Sequence, residues 1–325
     1  MQLIDDIFSV KDSTFEETAL EVFQFQFNEV EIYRLFCEGL RRTPATVKQL
    51  SDIPFLPIEF FKNYEVIKKG ATALKVFESS GTTGSIPSRH YVADTDIYEK
   101  SFLKGFKQFY GEPEDYTILA LLPSYLERGN SSLIYMADKL IKLSGKKESG
   151  FFLNEFEQLR EILLGLKAKG EQVILLGVTF ALLDFAELFK TDFPGLIIME
   201  TGGMKGKREE LTREEVHQKL CAAFGVSRIH SEYGMTELLS QGYSKGLGIF
   251  ETVPWMKILT RDVYDPLKLQ GAGKAGAVNV IDLANLFSCA FIATNDIAKV
   301  NEDGSFEILG RMDNAEIRGC NLMVL

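Results

Sequence analysis

Cysteine is scarce in this chain. Four occur in 325 residues (Cys37, Cys221, Cys289 and Cys320), and no two form a C-x-x-C pair. That argues against the common zinc clusters and thioredoxin-type redox pairs. Long apolar runs are also missing. None reaches the roughly 18 residues of a membrane span, so none is expected. The opening MQLIDDIFSV has neither a basic start nor a continuous apolar stretch, so it does not read as a secretory signal. An excess of positive charge is absent as well. The 36 Lys and Arg against 46 Asp and Glu leave a net charge of −10. A nucleic-acid groove needs clustered cations, so no nucleic-acid partner is expected. An anionic small ligand is still compatible, because it responds to local amides and cations. No internal repeat and no Gly/Ser-rich linker interrupts the chain. The sequence reads as a soluble, cytoplasmic protein with reduced thiols.

What the chain does have is an ordinary globular balance, with 46% apolar and 25% charged residues. A compact chain of this size can bury about three quarters of its unfolded surface, so it needs no disulfide or metal staples. Three regions follow one another: helical over 1–75, α/β over 76–244 and β-rich over 245–325. In the first, Ser13 and Glu16 have capping-box spacing. Phe15, Ala19, Phe23, Phe27, Val30 and Leu35 recur on one helical face before Pro44, Pro54 and Pro57 break the pattern. In the second, short apolar strands are expected at Leu74–Glu78, Thr117–Leu122, Val173–Val178, Leu196–Glu200 and Ser227–Ser231, with helices between them. Asn154 with Glu157 and Thr212 with Glu215 are spaced as capping boxes. Gly170 and Gly225 stand where helices should end. Strands alternating with helices imply parallel βαβ units, whose ligands bind beyond the C-terminal strand ends. In the third region Ile258, Ala277–Ile281, Cys289–Ala293, Ile297–Val300 and Phe306–Leu309 read as short strands joined by turns. The fold class is α/β, with a parallel sheet followed by a β-rich subdomain.

Four local patterns carry chemistry. Ser79-Ser80-Gly81-Thr82-Thr83-Gly84 follows a strand and offers hydroxyls and glycine-freed amides to an anion such as phosphate. No Gly-Lys-Ser/Thr ends it, so it is not a P-loop, and a plain polar turn would look similar. Tyr233-Gly234-Met235-Thr236-Glu237 also follows a strand and combines a ring face, a hydroxyl donor and a hard oxygen ligand. Asp296 and then Arg311, in Gly310-Arg311-Met312-Asp313, could clamp a ribose diol. Taken singly, the last two read as well as a turn aspartate and a surface arginine.

In this order the four patterns resemble the adenylate-forming superfamily of acyl-CoA synthetases, peptide-synthetase adenylation domains and luciferase-like enzymes. Within it the chain is most similar to the LuxE-type acyl-protein synthetases, the synthetase part of a long-chain fatty acid reductase. The resemblance covers about residues 76–325. It implies the large-domain fold of adenylating enzymes, with ATP as co-substrate and Mg²⁺ as metal. It implies that Ser79, Ser80, Gly81, Thr82, Thr83 and Gly84 hold the phosphates, and that Gly202 and Gly203 lie along the adenine. Tyr233 and Gly234 would pack beside that base. Thr236 would contact the α-phosphate, Glu237 would bind Mg²⁺, and Asp296 and Arg311 would hold the ribose. A fatty acid would become an acyl-adenylate and pass to a cysteine near the C-terminus. Cys320 fits that role, and a reductase or transferase partner would collect the acyl group.

The chain departs from the superfamily at two places. The phosphate loop runs on as Ser85-Ile86-Pro87-Ser88-Arg89 and lacks the usual lysine, and Arg89 is not equivalent to one. The sequence stops near the hinge, before the lid that normally carries a catalytic lysine. A short chain is also a LuxE-type trait, so Lys205 and Lys207 become candidate cations, with a solvated basic turn as the plainer reading. His230, just before the Tyr-Gly-Met-Thr-Glu box, could act as a base or border the acyl pocket. His90 and His217 have no expected role. Two other functions suit the same residues: an aryl- or acyl-CoA ligase related to phenylacetate-CoA ligase, or a weakly catalytic acyl- or nucleotide-binding subunit of a reductase complex.

Overall fold

A computed structural model describes residues 2–79, 86–123, 130–202 and 211–312. Its strands are β1 (Leu56–Pro57), β2 (Lys75–Glu78), β3 (Arg89–Val92), β4 (Thr117–Leu121), β5 (Gly150–Phe152), β6 (Val173–Val178) and β7 (Ile197–Thr201). They continue as β8 (His230–Tyr233), β9 (Gly242–Ser244), β10 (Ile249–Thr252), β11 (Met256–Arg261), β12 (Ala275–Asp282), β13 (Phe291–Val300) and β14 (Phe306–Arg311). Except for β2 and β3 they form one sheet. Its order is β11-β12-β13-β14-β10-β9-β8-β7-β6-β4-β5, with β1 added alongside β13.

The sheet has two characters. From β5 through β4, β6 and β7 to β8 every pairing is parallel. β4 and β6 are buried at every position, as strands must be when helices cover both faces. Ring contacts sort the helices into layers. Phe156, Phe185 and Phe224 pack in a row, which puts the helices Phe156–Lys169, Thr179–Leu188 and Arg213–Phe224 together. Tyr98 stacks on Tyr135 at 5.8 Å and so joins the helices Thr95–Tyr110 and Ser132–Ser144. From β8 onward the pairing turns antiparallel, through β9, β10, β14, β13, β12 and β11. The first helices cover that part. On the helix Phe15–Glu29, buried Gln26 donates to the carbonyls of Asn285 and Leu286, both at 2.9 Å, and accepts from the Ala290 amide at 3.0 Å. No helix among the described residues is long and apolar enough to cross a membrane.

Several expectations from sequence change here. β2 does not join the parallel sheet. It pairs antiparallel with β3 as a separate two-stranded sheet. The expected strand Ser227–Ser231 begins three residues later and ends two later, at His230–Tyr233. The two expected strands at Cys289–Ala293 and Ile297–Val300 are one continuous β13, with a register shift between Ile297 and Ala298 against β14. The apolar face that opens the chain is buried at Phe15, Ala19, Phe23 and Val30, but Leu35 is exposed. Val30 leaves helical geometry (φ −109°, ψ 99°) and so resets the helical phase before Leu35. Ser13 and Glu16 make no capping box, because Glu16 reaches across to accept from the Leu50 amide at 2.7 Å. Asn154 and Glu157 make none either. Glu155 takes the cap position and accepts from the amides of Leu153 and Asn154.

The Thr212–Glu215 box does form. The Glu215 amide donates to Thr212 Oγ1 at 3.2 Å, and the Thr212 amide donates to Glu215 Oε2 at 2.8 Å. Gly170 and Gly225 end their helices in left-handed geometry, with φ 69° and 68°. Thr212→Ala leaves the Glu215 amide of the first turn without its partner, so it should lower stability by about 1 kcal/mol. Chemical denaturation of the two proteins checks this, and an unchanged midpoint would exclude the cap as a stabilising element.

Candidate active site

The parallel strands β6, β7 and β8 all point their C-terminal ends at one edge, where α/β sheets place ligands. β7 runs out at Thr201 into Gly202, whose φ of 73° favours a residue without a side chain. The Thr179 hydroxyl, at the end of β6, lies 3.1 Å from the Gly202 carbonyl and 2.8 Å from Glu200. β8 ends at Tyr233 and releases the Gly234–Glu237 loop. Tyr233 is buried and edge-on to Phe306 at 5.5 Å, which fixes its ring plane. Its hydroxyl donates to Asp296 Oδ2 at 3.0 Å. Arg311 faces the other Asp296 oxygen at 3.7 Å from its register position on β14. Burial raises the Asp296 carboxyl pKa, while Arg311 and the Tyr233 hydroxyl pull it down. The aspartate thus sits within β13, next to the register shift, rather than at a strand end.

The loop after Tyr233 is held from three sides. His90, fully buried on β3, donates from Nδ1 to the Thr236 carbonyl at 2.8 Å. Its Nε2 lies 3.0 Å from Asn285 Oδ1. The Asn285 amide donates in turn to the Glu237 carbonyl at 2.8 Å. Farther on, Asp282 accepts from the Leu239 and Ser240 amides at 2.7 and 3.0 Å. The Glu237 side chain is buried. Burial raises its pKa, opposed by the Ser88 hydroxyl and the charges of Arg311 and Lys62. Among the described residues no three His, Cys, Asp or Glu side chains cluster as a metal cage. Mg²⁺ commonly takes one or two carboxylates and completes its shell with phosphate and water, so Glu237 alone fits that ion.

Two buried carboxylates that no sequence motif indicated sit on adjacent strand ends. In register, Glu200 lies beside Ser231 and Thr201 beside Glu232. Side chains alternate along a strand, so the two glutamates leave the sheet on opposite faces. Glu200 accepts from the hydroxyls of Thr179 and Ser231, both at 2.8 Å, and His217 stands 3.7 Å away. Burial opposes its charge, but these partners outweigh that and hold its pKa below the usual value. Glu232 has one hydroxyl donor, Thr201 at 2.5 Å, and shares its face with Tyr243. Burial, aided by nearby Glu200, pushes its pKa up to about 7.

The remaining candidates divide. Ser79 closes one end of the β2–β3 pair: its amide donates to the Ser88 carbonyl at 3.0 Å, and its hydroxyl accepts from the Ser88 amide at 2.9 Å. His230 is the first residue of β8, about 10 Å behind Tyr233 at the usual rise of a strand. It meets the Tyr110 hydroxyl at 3.2 Å beside a cavity of about 380 Å³ that Tyr116, Arg228 and Lys245 help to line. Burial and those two cations pull its pKa down to about 4. This cavity lies at the strand starts, so strand direction and motif geometry locate the candidate site, not the cavity. Ser80, Gly81, Thr82, Thr83, Gly84, Gly203, Lys205, Lys207 and Cys320 lie outside the described residues.

The sequence model of the acyl-protein synthetase family LuxE matches residues 7–325. The chain belongs to the LuxE acyl-protein synthetase family. The comparison with curated proteins finds no match. Among solved structures the fold is that of adenylate-forming ligases. A 2-hydroxyisobutyryl-CoA ligase in complex with 2-HIB-AMP and CoA aligns with TM-score 0.64 and 14% identity, over 95% of this chain and 71% of its own. ATP-bound MatB from Rhodopseudomonas palustris aligns with TM-score 0.55 and 18% identity, over 73% of this chain and 47% of its own. A long-chain-fatty-acid-CoA ligase, FadD1 from Archaeoglobus fulgidus, gives 0.53 and 15%, over 76% and 53%. The chain thus spans about half the length of the last two. At these identities the likeness establishes the fold alone. In this LuxE-family chain, Tyr233, Thr236, Glu237, Asp296 and Arg311 gather at one strand edge, while His230 lies at the other.

Glu232 yields a pH test. Its carboxyl pKa is about 7 when folded and near 4.5 when exposed. The folded state therefore binds its proton more tightly, and stability is lost as pH rises from 4.5 through 7. Glu232→Gln removes that loss. Its stability relative to wild type should rise by on the order of 3 kcal/mol between pH 5 and pH 8. Urea unfolding at both pH values checks this, and a constant difference would show that Glu232 does not titrate in this range.

Proposed function

We propose that this protein activates a carboxylic acid, in our reading a long-chain fatty acid, as its acyl-adenylate and passes the acyl group to the Cys320 thiol. The observation that carries the reading is the convergence of Tyr233, Asp296 and Arg311 with Thr236 and Glu237 at the parallel strand ends of a LuxE-family chain. Asp296, braced by Tyr233 and Arg311, presents carboxylate oxygens to a ribose diol. Gly202, which carries no side chain, would let a flat base approach the backbone, with the Tyr233 ring beside it. The Thr236 hydroxyl faces the α-phosphate, and Ser80, Thr82 and Thr83 hold the outer phosphates. Glu237 would hold Mg²⁺, which would supply charge neutralisation to the phosphates.

The acid's carboxylate oxygen then bonds to the α-phosphorus, and the bond to pyrophosphate breaks. The Cys320 thiolate next bonds to the acyl carbon, and AMP leaves with its electron pair. A thiol is only a few per cent ionised at neutral pH, and neighbouring Arg318 favours the thiolate. Lys205 supplies a cation to the adenylation step. A reductase or transferase partner takes the thioester. The structural neighbours named as CoA ligases favour a second reading, with free CoA as acceptor in place of a protein cysteine.

Acid-dependent exchange of pyrophosphate into ATP, over a panel of fatty and aryl acids, should single out one acid class. Glu237→Gln should lower that exchange about a hundredfold or more. Exchange at the wild-type rate would refute the metal role. Radiolabelled acid with ATP should leave a hydroxylamine-sensitive label on the wild-type protein and none on Cys320→Ser. An undiminished label would remove Cys320 as the acceptor, and label appearing only on added CoA would favour the ligase reading.

A further inference from the structure

The fully buried ring of His90 takes no part in the chemistry above, yet it joins two elements that do. It sits on β3, near the end of the β2–β3 pair that Ser79 and Ser88 close. It reaches the Thr236 carbonyl at 2.8 Å on one side and Asn285 Oδ1 at 3.0 Å on the other. Asn285 carries the link on, donating 2.8 Å to the Glu237 carbonyl. Gln26, on the first long helix, holds the Asn285 carbonyl at 2.9 Å. Two consecutive loop residues, Thr236 and Glu237, far from His90 in sequence, thus have their main chain fixed by one ring and one amide. Phe61 packs edge-on to the ring at 5.7 Å and restricts it to this orientation. The side chains of those same two residues are the ones that meet phosphate and metal. An error in their backbone becomes an error in both ligands at once.

We propose that His90, acting with Asn285, is a positioning residue for the metal–nucleotide complex: it locks the Thr236–Glu237 backbone so that the Glu237 carboxylate meets Mg²⁺ with its geometry already set. This rests on the reading of Glu237 as the Mg²⁺ ligand. Groups that orient a metal ligand typically change metal affinity 10–100-fold when removed.

The test uses the full chain with Mn²⁺ standing in for Mg²⁺ and a non-hydrolysable α,β-methylene ATP. The dissociation constant of the metal–nucleotide complex is read by water-proton relaxation enhancement. Nucleotide affinity in EDTA and the melting curve are measured alongside. His90→Phe keeps the ring volume and removes both polar contacts. It should weaken the metal complex about tenfold and metal-free nucleotide affinity, which depends on Thr236 but not on Glu237, by less. His90→Gln restores a donor toward Thr236 and should recover part of that loss; it also serves if the Phe variant does not fold. Asn285→Ala should match His90→Phe, and the double variant should be no worse than either, since both cut one chain of contacts. A merely structural role would lower the melting point with metal affinity unmoved, and that result overturns the proposal. Glu237→Gln separates the two readings. If it abolishes the metal complex while His90→Phe and Asn285→Ala bind like wild type, only the positioning role fails. If Glu237→Gln binds metal like wild type, the metal reading fails and the positioning role falls with it.

Discussion

The site depends on one constraint: the loop that leaves β8 has no regular secondary structure, so its backbone polar groups need partners from elsewhere. Inside a protein an unpaired carbonyl or amide is costly, and a loop with several such groups would not keep a single conformation. Here the partners are side chains from distant segments. His90 and Asn285 take the carbonyls of Thr236 and Glu237, and Asp282 takes the amides of Leu239 and Ser240. Asp282 also accepts from the Ser240 hydroxyl at 2.5 Å, and the Trp255 indole donates to that hydroxyl at 3.0 Å. The loop's backbone is therefore anchored to the core that surrounds it. A nucleotide meeting it need not supply the free energy of ordering it.

The same edge separates charges by environment. Asp296 keeps a neighbouring cation and a phenol donor, and its mostly buried side chain retains a small accessible edge that a sugar could reach. Glu200 and Glu232 are one residue apart in register, yet they belong to opposite layers. Glu200 is supplied with hydroxyl donors and keeps its charge, whereas Glu232 has one donor and holds a proton to near neutrality. Number of hydrogen-bond donors, rather than depth of burial, distinguishes them.

Much of the fold was legible from residue pattern. β6 lies where its uninterrupted apolar run put it, because a strand covered on both faces shows no alternation. The caps at Thr212, Gly170 and Gly225 were legible because capping is local chemistry. Pattern failed where a long-range partner outbid a local one. Glu16 serves Leu50 instead of its own helix, and β2 pairs with β3 instead of the sheet. The start of β8 was misplaced because strand ends carry weak signals. That error put His230 near the chemistry, although it stands at the far end of the strand.

By itself the sequence determined the α/β class, the order of the Tyr233–Glu237, Asp296 and Arg311 motifs, and through that order the family. Those properties rest on short spacings and on periodicity, which a linear string preserves. Only the tertiary structure decided what holds the motifs in place. His90 and Asn285 stand 195 residues apart and meet at 3.0 Å, and Gln26 joins them from the first long helix. No local pattern marks such residues. What selects them is the need of a buried loop for hydrogen-bond partners, and which side chains can meet it is known only after the chain has folded.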